Sequence, residues 1–148
     1  MIIRTRPLQL LLIEDNPGDI RLTQEAFKES SVPVLMDVVT DGEEALFYLH
    51  KTGKYADKMT PDLIMLDLNL PKKDGREVLR EIKSDQVLKT IPVIILSTSN
   101  AESDVLLCYQ WFVNCYINKP VDYDHFFSII KKIENFWLKT AFLPTLVR

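Results

Sequence analysis

Five short runs of apolar residues recur along the chain, most of them closing on polar or charged residues, with longer amphipathic stretches between them. Leu8–Ile13 reads LQLLLI and meets Glu14 and Asp15. Residues 62–68 read DLIMLDL, with Asp67 near the end, and residues 91–97 read IPVIILS, ending at Ser97. Residues 32–40 (VPVLMDVVT) and Cys115–Asn118 (CYIN, followed by Lys119) complete the set. Runs this hydrophobic need cover on both faces, which predicts a mainly parallel sheet with helices on each side. Pro17 and Asp19 open a helix that carries Leu22, Ala26 and Phe27 at helical spacing. A second follows Asp41-Gly42, with acidic residues in its first turn. A third spans residues 76–84, with Val78, Leu79 and Ile82 on one side, and a fourth lies near 102–112. The last runs from Tyr123 towards Lys139, with Phe126, Ile130, Ile133 and Trp137 spaced 4, 3 and 4 as a core stripe. Residues 51–61, bracketed by Gly and Pro, read as a loop. Strands alternating with helices predict a doubly wound α/β domain, and short right-handed crossovers favour the flavodoxin-like order 2-1-3-4-5.

The 148 residues suit one domain, with a core at about 8–138 and a short extension at 139–148. Lys plus Arg number 18 against 21 Asp plus Glu, a net charge of −3, which argues against nucleic acid as a partner. Cys108 and Cys115 are too few for a disulfide framework and read as reduced thiols of a cytosolic protein. No apolar run approaches the roughly 20 residues that span a bilayer, and MIIRTRP at the start lacks the apolar stretch of a signal peptide. A cytoplasmic location without membrane attachment is expected.

In a parallel sheet of this order, ligands bind beyond the carboxyl ends of the strands. Glu14, Asp15, Asp67, Ser97 and Lys119 all stand at predicted strand ends. Each alone would pass for a turn former or a cap, but together they place three carboxylates, a hydroxyl and an ammonium on one edge. Clustered carboxylates repel and raise one another's pKa, and a hard divalent cation relieves the repulsion. Oxygen ligands without His or Cys point to Mg²⁺, with Mn²⁺ as an alternative. The set fits a phosphoryl-transfer site in which Asp67 is the nucleophile.

Several motifs in LLIEDNPGD, LIMLDLNLPKKDG, IPVIILSTS and YINKP resemble the receiver domains of two-component response regulators. EDNPGD and the tail FWLKTAFLP are similar to the small stand-alone regulators paired with cyanobacterial phytochromes. The resemblance implies that Asp67 is the phosphoacceptor and that Asp15, Asp67 and the backbone carbonyl of Asn69 ligate the cation, with Glu14 acting through water. It implies that Lys119 pairs with the phosphoryl group, that Ser97 hydrogen-bonds to it, and that Tyr116 is the aromatic switch residue. Thr98 and Ser99 fall where the family tunes access of water, and the Lys119–Pro120 bond is expected to be cis. Bulky Trp111 and Phe112 stand where many receivers carry a small residue or glycine. The implied partner is a sensor histidine kinase, with a phytochrome foremost, and the protein would catalyse only its own phosphotransfer and dephosphorylation.

No output module is expected in this chain, so the signal is expected to leave through protein contacts to a downstream target that the sequence does not identify. Val105, Tyr109, Tyr116, Phe127, Ile129 and Phe136 are candidate residues of a homodimer surface. Phe142 and Leu143 in the tail either belong to a flexible end or pack on a partner. A phosphorylation-independent binding module and a Mg²⁺-dependent aspartyl phosphohydrolase are the competing readings. The phosphohydrolase wants a second acid two residues after the nucleophile, where Asn69 stands. A flavin-binding alternative fails because Glu14 and Asp15 would repel a phosphate. His50 and His125 read as surface residues rather than phosphotransfer groups.

Overall fold

The computed structural model describes residues 6–144. Five strands, β1 (Leu8–Ile13), β2 (Val34–Val39), β3 (Leu63–Leu66), β4 (Val93–Ser97) and β5 (Cys115–Asn118), form one sheet in the order β2-β1-β3-β4-β5. Every pairing is parallel, so all strand carboxyl ends lie along one edge. Five α-helices alternate with them: α1 (Pro17–Lys28), α2 (Gly42–Leu49), α3 (Gly75–Ser84), α4 (Glu102–Gln110) and α5 (Tyr123–Ile133). β2, β3 and β4 are shorter than the apolar runs that announced them, and at β3 and β4 flanking apolar residues leave the ladder while staying against the core. Leu68 and Ile91, just outside β3 and β4, are fully buried.

Alternation along the strands sorts the core into two layers. Leu11 and Ile13 of β1 join Leu46, Leu49, Val78, Leu79, Ile82 and Cys108 from α2, α3 and α4. Leu8, Leu10 and Leu12 face the opposite side, with Ala26 and Phe27 of α1 and Phe126, Ile130 and Ile133 of α5. Side-chain caps fix where four helices begin. Asn16, Asp41, Asp74 and Asp122 accept from the backbone N–H of Asp19, Glu44, Arg76 and His125, at 3.0, 2.7, 2.9 and 3.1 Å.

The chain's last helical segment departs from the 4-3-4 stripe. α5 gives way to a π-helix over Glu134–Leu138. A π turn holds one residue more than an α turn and rotates the following side chains. Leu138 is therefore buried in the position the spacing assigns to Trp137, and Trp137 is only half-buried. Glu134, at the turn, is itself buried. It accepts from the Ser30 hydroxyl at 2.8 Å and pairs with Lys131 at 2.9 Å and Lys139 at 3.3 Å.

Leu143 packs against the α1–α5 layer of its own chain, while Phe142 is exposed. The rest of the extension, residues 145–148, and residues 1–5 of the opening MIIRTRP lie outside the described residues. No described helix is long and apolar enough to cross a membrane.

Candidate functional site

The β1, β3, β4 and β5 ends bring the five strand-end residues together. Asp67 N–H bonds to Ile13 O at 3.0 Å, which sets the start of the β3–α3 loop against the end of β1. One carboxylate oxygen from each of Glu14, Asp15 and Asp67 lies within 4.8 Å of the others. Glu14 and Asp67 are buried, while Asp15 is exposed. Lys119 reaches in from beyond β5 with 7% of its surface exposed. Its Nζ donates to Glu14 Oε1 at 2.7 Å, to Asp19 Oδ2 at 2.8 Å and to Asp67 Oδ2 at 3.4 Å.

Electrostatics follow from this packing. Burial pushes the Glu14 carboxyl up to about 7, with the Lys119 hydrogen bond pulling the other way and Asp67 adding repulsion. Burial disfavours the Lys119 ammonium, but hydrogen bonds to Asp19 and Glu14 outweigh it and hold the pKa above the usual lysine range. The Asp15 and Asn16 N–H groups also donate to Glu14 Oε2, at 3.1 and 3.3 Å. Glu14 is thus anchored on both oxygens, Asp67 receives only longer bonds of 3.4 Å, and Asp15 is the exposed carboxylate. An all-oxygen cluster of this kind suits Mg²⁺ or Mn²⁺. Asn69 follows Asp67 by two residues, and its N–H donates to Asp67 Oδ1 at 3.4 Å.

Ser97 closes β4 with no exposed surface, and its Oγ accepts from Ser99 N–H at 3.2 Å. Thr98 is exposed. Tyr116 on β5 is half-buried, and its hydroxyl donates to Ser99 O at 2.8 Å, tying the aromatic ring to the loop that follows Ser97. The Lys119–Pro120 bond corrects the expectation from sequence: no peptide bond among the described residues is cis. Trans is the favoured isomer even before proline, and here Lys119 is located by other means. Its N–H donates to Ser97 O at 2.6 Å, and its Nζ meets the three carboxylates. His50 and His125 are exposed and away from the acidic cluster.

The six candidate surface residues lie on α4, β5, α5 and the turn that follows it. Phe127 lines a groove of about 770 Å³ between α1 and α5, with Gly18, Leu22 and Tyr123. Ile129 and Phe136 line a separate apolar groove of about 360 Å³, with Cys115, Ile117 and Trp137. Val105 and Tyr109 belong to α4, where the Tyr109 hydroxyl accepts from Tyr116 N–H at 3.3 Å. Tyr109 and Phe136 are the exposed members, and the other four are half-buried.

Two contributions escaped the sequence. Asp19 explains itself as an acidic first-turn residue, and nothing in its spacing signals the reach to Lys119. Arg76, at the start of α3, forks onto Asp104 of α4 with two bonds of 2.8 Å. Asp104 also accepts from the Ser99 hydroxyl, so the fork is continuous with the loop that holds Tyr116. The fork, and after it the Ser99 bond, brings the Asp104 carboxyl down to about 2 from its ordinary 3.8. A carboxylate depressed on folding stabilises fully above about pH 4, and that stability is lost as the pH falls through about 2. The two side chains keep 26% and 20% of their surface in water, so the charge-assisted bonds count. We expect Arg76→Ala to cost about 2 kcal/mol in urea unfolding at pH 7. The cost should shrink in parallel melts towards pH 2, and a variant equally destabilised at both pH values would exclude the charge as its cause.

Residues 10–131 match the family described as Response regulator receiver domain. The chain is 46% identical over 138 residues to the response regulator Rcp1 of Synechocystis sp., covering 93% of this chain and 94% of that protein. The crystal structure of the phosphorylated cyanobacterial phytochrome response regulator RcpA superposes with a TM-score of 0.93 at 55% identity, over 95% of this chain and all of that one. The Mn²⁺-bound form of Rcp1 superposes with a TM-score of 0.92 at 46% identity, over 94% of this chain and 100% of the other.

Proposed function

Because this chain belongs to the response regulator receiver family, we propose that it accepts a phosphoryl group on Asp67 from a sensor histidine kinase, a cyanobacterial phytochrome foremost. The observation that carries the reading is a buried ammonium 3.4 Å from Asp67 Oδ2, beside three carboxylates that converge within 4.8 Å. Asp15, Asp67 and the carbonyl of Asn69 would hold a divalent cation, with Glu14 behind them through water. When bound, the cation offsets the charge of the carboxylates and of the incoming phosphoryl oxygens. Asp67 supplies the attacking oxygen, and Lys119 and Ser97 supply an ammonium and a hydroxyl to the phosphoryl group once it is attached. The residues act as one domain of about 8–138 in the cytoplasm, and the phosphoryl group leaves by hydrolysis at the same site.

Phosphorylation adds nearly two negative charges and three acceptor oxygens. Recruitment of the Ser97 hydroxyl would shift the loop through Thr98 and Ser99 and bias the Tyr116 ring, a population shift between two loop conformations. The kinase assay is direct: incubation with a phytochrome kinase, labelled ATP and Mg²⁺ should place an alkali-labile label on the protein. Absence of label from kinases and small phosphodonors alike would remove the phosphoacceptor reading.

The output would pass through protein contacts that include a homodimer. The groove of Ile117, Ile129, Phe136 and Trp137 is the apolar surface that favours it. Ile129→Glu combined with Phe136→Glu is expected to shift sedimentation velocity profiles towards monomer by at least about tenfold in Kd, since buried apolar anchors carry most interface energy. An unchanged profile would place the contact elsewhere.

A further inference from the structure

We propose that Asp19 is a positioning residue for the phosphoryl site, fixing with Glu14 two of the three N–H bonds of Lys119 so that the third is aimed at Asp67. The inference rests on Asp67 as phosphoacceptor. A lysine ammonium has three donors and no acceptor, and here it meets three carboxylates. Two contacts are short, 2.7 Å to Glu14 and 2.8 Å to Asp19, and the third, to Asp67, is long at 3.4 Å. The long one is the bond available for transfer to an oxygen of a group carried on Asp67, while the short pair keeps the ammonium in place.

Asp19 is built on a fixed base. Its N–H donates to Asn16 Oδ1 at 3.0 Å, and its carbonyl accepts from the Thr23 hydroxyl at 2.7 Å. The side chain therefore projects from a pinned first turn towards a lysine 100 residues away in sequence. An acidic residue near a helix start is favourable for the dipole alone, but that does not require contact with an ammonium whose side chain is 6% exposed. Without Asp19, one short contact, to Glu14, would restrain a long, flexible stem whose charge is a single mobile point.

Titration calorimetry of the full chain with beryllofluoride in the presence of Mg²⁺ tests this. Asp19→Ala is expected to weaken binding by about tenfold, the loss of one charge-assisted hydrogen bond. Asp19→Ser, which keeps a helix-compatible first turn but is too short to reach Nζ, should lose as much. Asp19→Asn retains an acceptor oxygen of the same reach and should recover most of the affinity. On a Lys119→Ala background, the Asp19→Ala effect should vanish. Two results overturn the role: Asp19→Ala binding as tightly as wild type or tighter, as simple relief of repulsion would give, or an equal loss on the Lys119→Ala background. If wild type itself fails to bind beryllofluoride, the phosphoacceptor reading falls together with this one. Loss confined to the Asp19 expectations leaves Asp67 in place.

Discussion

Asp67→Asn is expected to reduce alkali-labile phosphoryl labelling to background while leaving the protein folded. The amide keeps the size and planarity of the carboxylate but not its nucleophilic oxygen lone-pair charge. The pocket should tolerate the change because Lys119 retains Glu14 and Asp19, its two short contacts. Removing the Asp67 charge also removes a repulsive contribution to Glu14, so the thermal midpoint should stay level or rise. Divalent cation affinity should fall, since one of the three clustered carboxylates is gone. Labelling and melting measured on the same preparation separate chemistry from stability. Persistent label with an unchanged melt would mean that another side chain accepts the phosphoryl group.

Gly75→Ala should be strongly destabilising. An added Cβ would stand 2.3 Å from Asp67 O, 2.6 Å from Leu68 Cα and 2.8 Å from Leu68 O. All three are backbone atoms and cannot swing aside, and the Gly75 N–H already donates to Leu68 O at 2.8 Å. Overpacking against fixed backbone costs about 3 kcal/mol, a fall of about 6–12 °C in Tm for a chain of this size. The same displacement would move Asp67, so cation binding should weaken along with stability. Gly53→Ala is the contrasting case: it has a φ of +59° but nothing within 4 Å, so it should cost only about 1 kcal/mol of backbone strain. Equal melting of the two variants would show that the α3 start yields more readily than its contacts imply.

Much of the fold was legible because burial on both faces leaves an unmistakable mark on a parallel strand. Cys115–Asn118 and Leu8–Ile13 begin and end where their composition changes. The acidic cluster and Lys119 were legible for a related reason: the strand-end rule turns five positions scattered over the chain into neighbours. What the sequence hid has local causes. Asp19 has a sufficient explanation inside its own helix, so no unexplained residue remained to prompt a search. Arg76 and Asp104 are ordinary surface residue types, and only the approach of α3 to α4 makes them partners. Phe112, in the bulky Trp111–Phe112 pair, adopts a φ of +63° with its ring largely exposed. Neither its conformation nor its exposure is announced by residue type. Phe127 and Ile129 are two residues apart, yet they line different grooves, because α5 is covered by α1 on one flank and bare beside β5 on the other.

The single extra residue in the turn over Glu134–Leu138 has an effect out of proportion to its size. Wound as a plain α-helix, the segment would bury an indole and leave an aliphatic side chain outside. Miscounting by one exchanges them, setting Trp137 edge-on to Phe136 at 5.3 Å with an interplanar angle of 84° beside the bare flank of β5. The aromatic character of that flank is thus a property of winding rather than of composition. Deleting one residue within the turn would let plain α winding carry Leu138 to the same inward position, with Trp137 still outside.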